Sequence, residues 1–306
     1  MNVENGLVVL IAILGTAAVG SFVLGVRAVA PFRHGVPVPT GDVSELRSIT
    51  RSLTTRVFIG LAVFVVSFVI LIVVAYAFPE LFALPGLMAP GVAVSLGLLT
   101  LCTLPASRRA PEGVVSATLE RRGPWTFAPP LSLCAVALGG ASTVALSIGL
   151  GVAATENRWG FAGLSTPPIL VAGSVVVAVV MVMCISAVAL QQLAATRAGA
   201  VSDLTSADFA LRTLVSRLIV GVAASNFAFY MAVVAGQTGG SLAGWARVSV
   251  LDGRPDALAA TLGAILEPLG LLSAAASIAF AITSIMLIVS LTRSRSVGVS
   301  AGTVRA

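Results

Sequence analysis

Residues 56–77 read RVFIGLAVFVVSFVILIVVAYA, a single arginine followed by 21 uncharged and mostly apolar residues. About 20 predominantly apolar residues in a helix are enough to cross the hydrocarbon core of a bilayer. The stretch therefore predicts a membrane-spanning helix, and it raises the question of how many more the chain contains.

Six further stretches of the chain have a similar length and apolar character. The loops between them are too short to hold a separate soluble domain. We therefore expect an all-α, polytopic transmembrane helix bundle that forms one membrane domain over residues 1–306. The seven predicted spans are 6–30, 56–77, 84–105, 129–153, 168–191, 217–237 and 268–292.

The composition supports this class and excludes others. Apolar residues make up 58% of the chain and charged residues 10%, whereas soluble domains are about 45–50% apolar and about 25% charged. The chain has no lysine and one histidine, His34, which excludes lysine-bound cofactors and sites built from several histidines. Cys102, Cys134 and Cys184 lie in apolar runs and are expected to be small buried side chains. We expect no catalytic residue, cofactor or metal site, and no enzymatic activity.

The 18 arginines divide unevenly between the two sets of loops. Fifteen follow the first, third, fifth and seventh spans, and only Arg158, Arg247 and Arg254 lie in the opposite loops. Because arginine-rich loops face the cytoplasm, we expect a cytoplasmic-membrane protein with its amino terminus outside and its carboxyl terminus inside. The net charge of +6 then follows from topology, and no nucleic-acid partner is expected.

Arginines also flank the second and sixth spans at the predicted cytoplasmic side. Such a collar attracts anionic lipid headgroups without selecting one of them. The collar residues are Arg51, Arg56, Arg212 and Arg217.

The arginines beside the second span and those beside the sixth span lie in two similar stretches of the sequence. Residues 51–62 align without gaps on residues 212–223, with five identities at an offset of 161. The third and seventh spans both open with a proline, Pro85 and Pro268. We predict two parallel three-helix units, 6–105 and 168–292, joined by a linker helix at 129–153 in a 3+1+3 arrangement. The alternative is coincidence, because apolar helices use few residue types.

The predicted linker helix has a face of small residues, Ala141, Ala145 and Gly149. Such faces let helix backbones approach closely. We expect this face to pack inside the chain, since a linker must contact both units. A homodimer interface is the alternative.

Few polar residues lie in or near the predicted spans, and these are the candidate binding or pathway residues. Glu267 precedes Pro268 near the outer boundary, where it serves as an interfacial carboxylate or, if Pro268 breaks the helix, lines an outward-facing cavity. Asn226, Tyr230 and Gln237 recur on one face of the sixth span. Such a stripe either hydrogen-bonds neighbouring helices or lines a pathway.

Several motifs resemble a group of uncharacterised polytopic membrane proteins from high-GC actinobacteria. They are GLMAPG at 86–91, LERR at 119–122, WTFAP at 125–129 and the stretch 203–217, although this chain lacks a basic residue after Pro129. The resemblance implies an actinobacterial inner-membrane protein with no assigned activity. The 3+1+3 layout is similar to SWEET and PQ-loop transporters in architecture only, since the chain has no Pro-Gln dipeptide.

These features favour a transport-related membrane protein, either a small permease or the membrane subunit of a transporter. The alternative is a non-catalytic scaffold, accessory or ligand-receiving subunit of a membrane complex. Membrane lipids are the expected partners, and a protein partner or a second copy of the chain is the open alternative.

Overall fold

A computed structural model of the chain describes residues 43–77, 83–103, 127–128, 130–155, 168–195 and 202–300. These residues form six α-helices and, within those ranges, no β-strand. The helices are α1 (Val43–Ala77), α2 (Ala83–Thr103), α3 (Pro130–Thr155), α4 (Pro168–Ala195), α5 (Ser202–Leu251) and α6 (Ala257–Ser300).

Five of these helices are long and apolar enough to cross a membrane. The exception, α2, has a shorter apolar part at Gly86–Leu101. For the described residues, the expectation of helices alone, several of them long and apolar enough to span a membrane, is thereby confirmed. Predicted spans two to seven fall in order on α1 to α6, while the first predicted span, 6–30, lies outside the described residues.

The longest helix, α5, is the centre of the described bundle. It contacts each of the other five described helices. In its most apolar stretch 72% of the residues are buried, against 11% in α1. The large side chains of Phe227, Tyr230 and Met231 are almost completely buried. The end of α5 that carries Arg212 and Arg217 is called the arginine-rich end below, and the end where α5 turns into α6 is called the hairpin end.

Helices α5 and α6 form an antiparallel hairpin held at closest approach by glycines. A methyl group added to Gly270 would lie 2.6 Å from the Gly236 nitrogen, and one added to Gly263 would lie 2.9 Å from the Ala243 nitrogen. Further along the same contact, Ser225 donates to the Ser277 carbonyl oxygen at 3.0 Å, and Ser277 donates to that of Ser225 at 2.9 Å. In lipid, such close backbone packing and interhelical hydrogen bonds are the main attraction between helices.

The hairpin extends further than the sequence predicted. Helix α5 continues past residue 237 to Leu251, and α6 begins at Ala257 and passes through Pro268 without a break. Neither helix therefore ends at its predicted span boundary, 237 or 268. Because α6 does not break at Pro268, the condition under which Glu267 would line an outward-facing cavity is not met. Small residues on both helices continue the contact, and Gly239 of α5 faces the α6 backbone at Leu266 and Glu267, directly before Pro268.

Local chemistry sets the turn between these helices. Gly253 adopts a positive φ of 71°, a conformation that ends many helices and favours glycine. The Asp256 carboxylate accepts a hydrogen bond from the Ala259 amide at 2.9 Å and so caps the first turn of α6. The Ser249 hydroxyl accepts from the Asp256 amide at 3.1 Å. These bonds make the turn a defined structure.

The small-residue face of α3 points away from the rest of the described bundle. Ala141, Ala145 and Gly149 are exposed, so the expectation that they pack inside the chain is wrong. The helix instead turns Gly140 towards α4 and α5, where an added methyl group would lie 2.8 Å from Met183 and 3.3 Å from Phe227.

The cysteines of α3 and α4 also differ from expectation. Cys134 and Cys184 are exposed and free, not buried. An apolar run in a membrane bundle has one side towards lipid as well as one towards the core, so position in such a run does not predict burial.

Helices α1 and α2 form a second antiparallel pair. A methyl group on Gly60 would lie 2.8 Å from the Gly97 carbonyl oxygen. In the predicted repeat this pair corresponds to α5 and α6, which also meet at glycines. The repeat itself stays a prediction.

Neighbouring glycines test the hairpin contact. We expect Gly239→Ala to lower thermal stability, because the added methyl group would lie 2.8 Å from the Leu266 carbonyl carbon and overpacking costs about 1–3 kcal/mol. Gly240→Ala has open space and should leave stability unchanged or raise it by up to about 1 kcal/mol through helix propensity. Thermal unfolding of the two variants in the same detergent measures the difference. Equal midpoints would contradict the glycine contact.

Candidate functional site

The phenol of Tyr230 is inserted into the backbone of α2. Its hydroxyl accepts a hydrogen bond from the Gly91 amide at 3.0 Å and donates one to the Leu87 carbonyl oxygen at 2.8 Å. In a regular α-helix these two backbone groups, four residues apart, pair with each other. The Tyr230 side chain therefore bridges a backbone position of α2 from the centre of the bundle.

The residue before this bridge, Pro90, explains where it forms. A proline inside a helix has no amide hydrogen to donate and crowds the carbonyl four residues earlier, here that of Gly86. The next residue is Gly91, where an added methyl group would lie 2.8 Å from the Tyr230 hydroxyl oxygen and 2.9 Å from the Ala178 methyl. The helix continues through Pro90, and the missing side chain of Gly91 leaves room for the phenol.

Among the buried oxygen atoms that have no hydrogen-bond partner in the described part of the chain, three lie on α2, α4 and α5. They are Ser95 Oγ on α2, Ser186 Oγ on α4 and Asn226 Oδ1 on α5, on residues that are only 2%, 7% and 5% exposed. Many other helical hydroxyls donate to the carbonyl four residues back, as Thr143 and Ser147 do at 2.8 and 2.7 Å. Buried polar groups without partners are costly, so these three oxygens call for a function.

Helix spacing places Ser95 and Asn226 within one turn of the Tyr230 bridge and Ser186 two turns along α4 from it. Ser95 lies one helical turn from Gly91 on the same side of α2, and Asn226 lies one turn from Tyr230 on the same side of α5. Ser186 follows two turns after Ala178, the α4 residue in contact with the Gly91 position. We call Ser95, Ser186, Asn226 and Tyr230 the polar interior.

The polar interior carries no formal charge. Helices α2 and α4 contain no Asp, Glu, Lys, Arg or His, and α5 has none between Arg217 and Arg247. Its chemistry is that of hydroxyl and amide groups, which bind by donating and accepting hydrogen bonds.

The structure brings together only two of the five candidate pathway residues. Asn226 and Tyr230 are buried in the polar interior, whereas Gln237, Glu267 and Pro268 are exposed towards the hairpin end. Gln237 shares a helix face with Tyr230 but lies two turns further towards the hairpin end. Helix α2 covers this face at Tyr230, and its described part begins at Ala83. Glu267 contacts α5 through its backbone at Gly239, and its carboxylate is exposed.

The arginines of the predicted collar differ in burial and in their contacts. Arg212 is 5% exposed, donates to the Leu193 carbonyl oxygen at the end of α4 at 3.0 Å, and lies 5.7 Å from the Phe127 ring centre. Ser216 donates to the Phe127 carbonyl oxygen at 2.8 Å. Arg212 thus joins three segments at the arginine-rich end. Arg56 and Arg217 are half-buried, and the Arg51 side chain lies outside the described residues.

Sequence reasoning missed the bridge and the residues Pro90, Gly91, Ser95 and Ser186. A Pro-Gly pair in the middle of a predicted span was the available signal for the bridge. In the described part of the chain, no group of three or more His, Cys, Asp or Glu residues could hold a metal ion.

No family model, curated protein or solved structure matches the chain. The resemblances in sequence stay predictions.

Two glycines of α2 test the bridge. We expect Gly91→Ala to lower the thermal midpoint, because its methyl group would displace the Tyr230 hydroxyl or Ala178. Gly86→Ala is the matched control, since its methyl group would lie 4.0 Å from Ala75, an ordinary contact. If both variants melt alike in the same detergent, close packing at Gly91 is not what holds α2 on α5.

A second pair of variants tests Arg212. Replacement by Gln should lower stability by about 1.5–3 kcal/mol, the usual contribution of a hydrogen bond from a charged group. Arg247→Gln, at an exposed position of the same helix, should have little effect. Unfolding of both variants measured under matched conditions gives the comparison, and a harmless Arg212→Gln would contradict the junction described above.

Proposed function

We propose that the protein is a transport-related, multi-pass membrane protein, either a small permease or the membrane subunit of a transporter. The observation that carries the proposal is the polar interior beside α2, where Pro90 removes a backbone donor and the Tyr230 hydroxyl bonds to two backbone groups. Transporters commonly place their sites where polar groups lie within the membrane beside helices that contain proline or glycine.

The proposal includes a topology. Seven spans, with residues 6–30 as the first, would place the amino terminus outside and the arginine-rich end at the cytoplasmic face of the cytoplasmic membrane. Anionic lipid headgroups would then contact Arg51, Arg56 and Arg217 there. We assign no catalytic activity, cofactor or nucleic-acid partner to the chain.

A substitution of Asn226 tests whether this buried polar group serves transport or stability. Replacing an unpaired buried amide by the similarly sized Leu should leave stability unchanged or raise it, because an unsatisfied polar atom is removed. Flux should nevertheless fall. Ser147→Ala, which removes a hydroxyl that is paired within α3, should leave flux unchanged.

The assay uses purified protein in liposomes under gradients of a panel of neutral solutes and ions, with protein-free liposomes as background. Flux above background that Asn226→Leu reduces supports the proposal. The absence of flux under every gradient would contradict an autonomous permease.

A scaffold or ligand-receiving role is the second candidate, and the hairpin end favours it. At about 1.5 Å per residue, the 50 residues of α5 extend about 75 Å, against a hydrocarbon core of about 30 Å. Towards Leu251 the helix exposes Trp245, Val248 and Val250, with Leu251 itself 85% exposed.

Native purification separates the two roles. A stoichiometric partner that is lost when Trp245 and Leu251 are replaced by Ser would favour the scaffold. An unpartnered protein that still supports flux would favour the permease.

A further inference from the structure

The three unpartnered oxygens of the polar interior define a hydrogen-bonding pattern. The hydroxyls of Ser95 and Ser186 can each donate and accept, and Asn226 Oδ1 accepts. All three are fully enclosed, so bulk water does not satisfy them in this arrangement. A ligand that fits them must itself both donate and accept hydrogen bonds.

The charge of the surroundings narrows the class of ligand. An ion at this position would lie among apolar side chains and neutral dipoles, because α2, α4 and the adjoining part of α5 carry no charged residue. A buried charge without a counter-charge is strongly disfavoured. A small uncharged molecule with hydroxyl or amide groups meets no such penalty and supplies the missing partners.

We infer that the polar interior between α2, α4 and α5 binds a small, uncharged, hydrogen-bonding solute. The inference rests on the proposed transport function and names its substrate class. Solute would bind by exchanging hydrogen bonds with Ser95, Ser186 and Asn226, without a proton or counter-ion.

Helix α2 borders this site. Pro90 has no amide hydrogen to donate within the helix, and the Tyr230 hydroxyl bridges the neighbouring Leu87 and Gly91. The bridge is one of several contacts that hold α2, since Gly97 also meets Gly60 of α1 and Gly91 also meets Ala178 of α4.

Cysteine accessibility tests this site independently of flux. In a full-length chain with Cys102, Cys134 and Cys184 replaced by Ala, Ser95→Cys and Ser186→Cys are introduced separately. The control is Ser147→Cys, a buried serine whose hydroxyl is paired within its own helix. Each folded variant in lipid nanodiscs is treated with a small water-soluble methanethiosulfonate reagent, and the labelling rate is measured by mass spectrometry. Glycerol, urea and a hexose are compared with NaCl and KCl as protecting agents.

The expected result is labelling at both interior positions several-fold faster than at the control, slowed by a neutral solute and not by the salts. Interior labelling no faster than the control would overturn the site. Labelling that no solute slows would show a hydrated interior without a binding site, which also overturns the inference.

Two further outcomes separate this inference from the proposed function. Protection by a salt alone would overturn the uncharged class while leaving transport in place. Protection by a neutral solute that the protein does not carry across liposomes would keep the site and overturn transport.

Discussion

Close backbone approach to α5 is the constraint on which the described structure depends. Lipid tails are as apolar as the side chains of the helices, so burial of apolar surface gives membrane helices little reason to associate. Gly239, Gly263 and Gly270 lack the side chains that would otherwise separate α5 from α6. The central position of α5 follows, because it is the helix against which the other five described helices lie.

The same helix determines the chemistry of the interior. Tyr230 uses its hydroxyl to pair two backbone groups of α2, which satisfies them where no water is available. Asn226, one turn away, has no such target for its carbonyl oxygen among the described residues. The bundle therefore combines the Tyr230 bridge to α2 with buried unsatisfied oxygens on the helices that meet there, and this combination supports the proposed binding role.

The apolar pattern was sufficient to predict an all-helical membrane protein and to place six of its predicted spans on helices. The apolar pattern could not predict where the two helices of the hairpin end, because Gln237 and Pro268 both look like the ends of membrane spans. The contact between Gly239 and the α6 backbone, which continues the hairpin past them, is visible only in the structure. The sequence pattern also misplaced Ala141, since a small-residue face can meet a helix of the same chain, another chain or lipid. Tyr230 was selected from its helix face, whereas its contact with Gly91 depends on how α2 and α5 cross. Residue spacing within one helix does not contain that information.

An experimental map of the protein in lipid nanodiscs would show whether Tyr230 bridges α2 beside a solute site. We expect the Tyr230 hydroxyl within hydrogen-bond distance of both the Gly91 nitrogen and the Leu87 carbonyl oxygen. We also expect non-protein density beside the Asn226 side chain once a bound neutral solute is present. A Tyr230 hydroxyl that bonds to neither group, with Asn226 paired to another protein group, would contradict this arrangement.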